Sequence, residues 1–152
     1  MNTAQMVGAG AGAACVAEVW NVLGTTMLCK IASEETGGVY SVVDNVVGPQ
    51  GGPPPHRHEN EDEVFYVLEG EFEINYGGQT VVARKGDVVA VGKGVTHSFR
   101  NVGEGEGRLL VTITPGGFER FFEEVSREQI TMPQDAEKLA ALSRKYGLEF
   151  LM

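Results

Sequence analysis

Positive charge is scarce in this chain: 12 lysines and arginines stand against 21 aspartates and glutamates, and none occurs before Lys30. The resulting net charge of −9 opposes contact with nucleic acid or with an anionic membrane surface. Cysteine is nearly absent. Cys15 and Cys29 have no framework spacing and read as small buried hydrophobes rather than a disulfide. No apolar run approaches the roughly 18 residues of a membrane span. The first residues lack a basic segment ahead of their small-residue apolar stretch, which Glu18 interrupts, and no Asn-x-Ser/Thr acceptor occurs. A soluble, cytoplasmic protein is expected. There is no H-E-x-x-H pair, so zincin chemistry is excluded, and no helical pair of the kind that reads DNA.

What is abundant is glycine, 21 of 152 residues, above the roughly 7% of average chains. That favours many short strands and tight turns on one domain of ordinary size. Residues 1–14 read as a flexible tail; the G-x-G-x-x-A match at Gly8, Gly10 and Ala13 has no strand before it and no βαβ unit around it. Strands are predicted over Val16–Leu23, Thr26–Ile31, Val39–Val47, Val64–Leu68, Glu71–Tyr76, Thr80–Arg84, Asp87–Val91, His97–Asn101 and Arg108–Thr114. Asn45 interrupts the valine pattern of the third. In Glu71–Tyr76, Phe72, Ile74 and Tyr76 alternate with Glu71, Glu73 and Asn75, one dry face against one wet, and Gly77-Gly78 marks the hairpin that follows. Such a series predicts an all-β fold, an antiparallel barrel or jelly roll. After Gly117 the period changes to helical: Phe118, Phe121, Phe122 and Val125 form one stripe, and Asp135–Tyr146 a second helix. The phenylalanine stripe is expected to pack on the core, as a helix laid over one barrel mouth.

The chain has three histidines, and all fall in two motif-like stretches. His56 and His58 are two apart, so a strand presents both imidazoles on one face. Glu63, an odd five positions beyond His58, reaches that face only if the chain turns or bulges at Glu59-Asn60-Glu61-Asp62. His97 arrives on a later strand, sharing a face with Phe99 and Asn101. Three imidazoles and one carboxylate suit zinc, iron, nickel, copper or manganese, with room left for water or substrate. Arg57 points away from the ligand face, towards an ion pair on the outer surface.

These two stretches resemble the paired motifs of the cupin superfamily. His56, His58, Glu63 and Gly70 fall on G-x5-H-x-H-x4-E-x6-G, with Gly51 one residue closer than the pattern's first glycine. Gly86, Gly94, His97 and Asn101 fall on G-x5-P-x-G-x2-H-x3-N, with Gly92 where proline is usual. The flanks, including Glu35-Thr36-Gly37-Gly38 and Pro115-Gly116-Gly117-Phe118, resemble single-domain cupins similar to quercetin dioxygenases. The resemblance implies a cupin double-stranded β-helix, a jelly-roll barrel over 15–117, with short C-terminal helices in an extension, 118–152, packed on it. It implies one divalent ion per chain, of iron, nickel, manganese or zinc, held by His56, His58, Glu63 and His97.

The activity it implies is oxygen-dependent cleavage or oxidation of a small aromatic or flavonol-like substrate, with Glu63 as ligand and base. Phe65, Val67, Phe72, Ile74 and Phe99 are candidates for the lining of the substrate cavity. Two other readings stay open, since this fold carries many chemistries: a metal-dependent isomerase or cyclase, and a non-catalytic small-molecule-binding cupin. A homodimer is expected through the early strands around Val39, Tyr40, Val42 and Val43.

Overall fold

The computed structural model describes residues 18–151; the expected tail and Cys15 lie outside them. In chain order the elements are β1 (Glu18–Val22), β2 (Thr25–Ile31), β3 (Ser41–Val47), β4 (His56–His58), β5 (Asp62–Glu69), β6 (Glu71–Tyr76), β7 (Gln79–Arg84), β8 (Val88–Val91), β9 (His97–Asn101), β10 (Gly107–Thr114), α1 (Glu119–Arg127), α2 (Ala136–Lys145) and β11 (Leu148–Phe150). Two antiparallel sheets face each other. One runs β1-β2-β3-β10-β5-β8 and the other β11-β4-β9-β6-β7. This is a jelly roll, as the strand series predicts.

Alternation decides which side chains lie between the sheets. On β6, Phe72 and Ile74 are buried while Glu71 and Glu73 stay partly wet. The β6–β7 hairpin turns through Gly77 and Gly78, both at positive φ (55° and 81°), a backbone that follows the right-handed twist of the strands and suits glycine. On β10, Leu109, Val111 and Ile113 point inward; in register with them lie Val67, Phe65 and Glu63 of β5 on one side and Asn45, Val43 and Ser41 of β3 on the other. Burying this apolar area is the main stabilising term, at roughly 25 cal/mol per Å² removed from water.

Boundaries differ from the sequence reading at several points. Leu23 belongs to a turn at positive φ, and β3 begins at Ser41, leaving Val39 and Tyr40 exposed ahead of it. Val43, expected on an exposed face, is core, because it shares the inward face with Asn45 and Val47. The region after 117, expected as helices, also returns a strand: β11 pairs antiparallel with β4, Phe150 opposite His56 and Leu148 opposite His58. Cys29 is a free, buried thiol pushed up to about 12, by burial first and then by nearby carboxylates led by Glu119. Among the described residues, no helix is long and apolar enough to cross a membrane.

Candidate metal centre and its cavity

His56 and His58 stand on β4, Glu63 on β5 and His97 on β9, where His97 is the register partner of His56. The histidine strands belong to one sheet and the glutamate strand to the other. The odd spacing between His58 and Glu63 is thereby explained without a bulge: the chain crosses from sheet to sheet, so that inward on β4 and inward on β5 meet. The corner is tied by the Glu59 amide donating to the Gly147 carbonyl (2.8 Å) and the Lys93 amide donating to Asp62 Oδ1 (2.8 Å). All four side chains are buried, and one ligand atom from each lies within 4.8 Å of every other.

Two of the rings are oriented in the same way. His56 Nδ1 is 2.9 Å from the Pro54 carbonyl and His97 Nδ1 is 2.9 Å from the Val95 carbonyl, so a proton on Nδ1 donates to backbone and Nε2 is left to face the cluster. His97 Nε2 lies 2.8 Å from Glu63 Oε2, and His58 Nε2 3.4 Å from the same oxygen. Burial pushes the Glu63 carboxyl up, but the His58 and His97 rings more than reverse this and hold it well below the usual range. His97 moves the opposite way: burial lowers it, Glu63 outweighs burial, and the net direction is up. His56, with no such partner, is pulled down to about 4 by burial and by the neighbouring His97. The four ligand atoms are therefore close and chemically matched to one divalent ion, with two of the three rings held by backbone carbonyls.

The cluster opens on a cavity of about 360 Å³, within the range of small-molecule sites. Of the residues expected to line it, Phe65 and Phe99 do. Val67, Phe72 and Ile74 do not. They share the inward face but are 0–1% exposed in the packed core beyond it, with Phe72 edge-on to Phe99. The opposite wall comes from the C-terminal elements: Phe118, Phe121 and Phe122, Leu139 of α2, and Leu148 and Phe150 of β11. Phe118 packs edge-on against the His58 ring, centroids 4.4 Å apart. The phenylalanine stripe is thus core packing and cavity wall at once. Its helical period was a usable signal; the three-residue β11 carried none.

Residues near the cluster have distinct parts. Arg57 pairs with Glu149 on the outer surface. Asn101 is buried and fully engaged, its Nδ2 donating to the Val47 and Gly105 carbonyls and its Oδ1 accepting from the Gly103 amide, so it shapes the loop before β10. Glu61 is buried, and burial pushes its carboxyl up while His58 opposes that.

Compared with known proteins, residues 45–113 match the model of the Cupin domain family. A solved structure from Thermotoga maritima, described as a predicted oxalate decarboxylase, superposes with a TM-score of 0.63 at 24% identity over 73% of this chain and 99% of its own. Residues 45–113 are a cupin domain. Among curated relatives, this chain is 34% identical to quercetin 2,3-dioxygenase of Bacillus subtilis over 60% of its own length and 27% of the relative's. It is 28% identical to polyketide synthase CurC of Streptomyces cyaneus over 59% of its length and 57% of the relative's. The chain thus spans less than two thirds of the curated relatives with which it aligns.

Proposed function

We propose that the protein is a metal-dependent cupin enzyme of the dioxygenase type, acting on a small aromatic or flavonol-like molecule. The observation that carries this reading is the position of an imidazole–carboxylate cluster on the wall of a cavity lined by phenylalanines. Likeness to quercetin 2,3-dioxygenase supports it. His56, His58, Glu63 and His97 hold one divalent ion. When bound, the ion supplies the positive charge that acidifies a substrate enol and the electronic means for oxygen to react with it. Phe65, Phe99 and the wall from Phe118 to Phe122 grip the aromatic part and exclude bulk water. Glu63, ionised at neutral pH, accepts the enol proton at its carboxylate. In this reading residues 15–117 form the barrel and 118–152 the extension that closes the cavity.

The partner besides substrate is a second copy of the chain. The outer face of the six-stranded sheet carries one continuous rung, Val19, Leu28, Asp44, Leu110, Tyr66 and Val88, in which Val19 and Val88 are 64% and 57% exposed and Asp44 is neutralised by Arg108. This apolar face supports a homodimer. A metal-dependent isomerase or cyclase without oxygen is the second reading, since this fold carries many chemistries.

The test is oxygen uptake with a set of flavonols and related enols, using protein loaded separately with iron, nickel, manganese or zinc. Uptake that requires both metal and substrate supports the dioxygenase. Product formation without uptake moves the isomerase or cyclase ahead, and binding without turnover leaves a non-catalytic cupin.

A further inference from the structure

The wall of the cavity contains two polar side chains outside the metal cluster, Thr25, whose Oγ1 donates to the Val22 carbonyl at 3.0 Å, and Asn45. Asn45 is 4% exposed, lines the cavity, and sits on the inward face of β3 between Val43 and Val47. Its register partners are Leu109 of β10 and Met27 of β2. Its Oδ1 has no hydrogen-bond partner among the described residues. Three other buried polar atoms share that condition, on Ser41, His58 and Glu61. Ser41 and Glu61 do not line the cavity, and His58 is already part of the cluster. A buried amide without a partner destabilises the fold, and valine or leucine would complete the surrounding apolar layer.

The strand register places this amide relative to the cluster. Glu63 lies on the rung of Ile113 and Ser41, and Asn45 is four residues farther along β3, on the order of 13 Å at the rise of an extended strand. One elongated ligand can span that distance. We propose that Asn45 is a specificity-determining residue that hydrogen-bonds a neutral hydroxyl, carbonyl or amide at the far end of a ligand whose near end places an enol or phenolate oxygen at the cluster. An amide offers both a donor and an acceptor, so it serves any of those groups. It offers no charge, and the cavity around it is apolar, so a ligand with a carboxylate at that end is rejected. The substrate class is therefore a two- or three-ring aromatic or polyketide-like molecule with a polar neutral function remote from its reactive enol. This rests on the small-molecule reading above but not on turnover.

The experiment uses zinc-loaded protein, which binds without redox chemistry, and two probes, 3-hydroxyflavone and 3,4′-dihydroxyflavone, which differ by one remote hydroxyl. Calorimetric titration of wild type is expected to favour the dihydroxy compound about 10-fold, the worth of one buried hydrogen bond made at an otherwise unpaired group. Asn45→Leu is expected to bind both equally, to keep its affinity for 3-hydroxyflavone and its zinc, and to melt about 2–6 °C higher, because an unpaired amide has been removed. Asn45→Ala, which only deletes atoms, is expected to lose the same preference. A variant that keeps the wild-type preference, a Leu variant that melts lower, or a wild type that binds the two probes equally overturns the proposal and leaves the small-molecule reading standing. Wild type that holds zinc and binds neither probe overturns both.

Discussion

The hydrogen bond between His97 and Glu63 makes metal binding a proton-release reaction. In the ion-free protein His97 Nε2 faces Glu63 Oε2 at 2.8 Å, and the carboxylate keeps the imidazole protonated above its ordinary value of 6.5. The same nitrogen cannot carry that proton and bind an ion. At and below pH 6.5 each ion entering must then displace at least one proton, and apparent affinity should fall about tenfold, or ~1.4 kcal/mol, per pH unit. From pH 6.5 to 4.5 the loss is on the order of 100-fold. Near pH 4 a further proton joins as His56 titrates, and the slope should steepen.

The assay is zinc titration at pH 6 in two buffers of different protonation enthalpy, followed by competition with a chelator across pH 4–7. Glu63→Gln is the control: without the carboxylate, the lowering by burial is opposed only by the hydrogen bond to the Val95 carbonyl, and proton release at pH 6 should shrink. A flat affinity from pH 6.5 to 4.5, with no buffer dependence of the heat, would refute the reasoning. The ion-free fold should respond in the same window. His56 is depressed when folded, so its contribution is present above pH 6.5 and is lost as pH falls towards about 4, a decline of about 3 kcal/mol. His97 is raised, so its contribution is already complete below pH 6.5 and does not offset that decline.

His58→Ala and His97→Ala should each lower metal content sharply by elemental analysis while circular dichroism stays sheet-like; full occupancy in the double variant removes the site. Glu63→Gln should retain appreciable metal yet lose about 100-fold or more in turnover of any substrate found, and wild-type turnover with metal bound would show that it is not the base. Gly52→Ala should fail to fold or melt far below wild type, since φ is +147° and a Cβ there would lie 1.9 Å from the Phe99 carbonyl oxygen; a soluble variant within a few degrees of wild type contradicts this. Phe121→Ala should cost about 3 kcal/mol, read as a melting temperature about 6–12 °C lower. Tyr66→Lys, in the middle of the apolar rung, should shift sedimentation from dimer to monomer, and a wild type that is monomeric at micromolar concentration rejects the dimer outright.

The alternation in Glu71–Tyr76 and the pair His56 and His58 were legible because each is a local consequence of strand geometry. The site was legible for the same reason, since an odd spacing between His58 and Glu63 demanded a change of direction. Alternation reports a face, however, and not depth along that face. Val67, Phe72 and Ile74 point inward as expected yet are packed into the core, Val67 beside Leu109 and Phe72 edge-on to Phe99. The far wall depended on how the last 35 residues fold back, which only tertiary contacts determine. A three-residue strand such as Leu148–Phe150 exists because β4 offers it an edge.

That returning strand makes the cluster depend on the far end of the chain. β4 is only three residues long and carries two of the four cluster residues, with His97's strand on one side and β11 on the other. The Leu151 amide donates to the Pro55 carbonyl, and the Gly147 carbonyl accepts from the Glu59 amide, so bonds at both ends of β11 splint the segment that holds His56 and His58. A cut after Gly147 would leave that segment with one open edge and two rings free to swing, loosening metal at a point almost ninety residues away in sequence. A protease or a misplaced affinity tag could therefore silence the centre without touching a ligand.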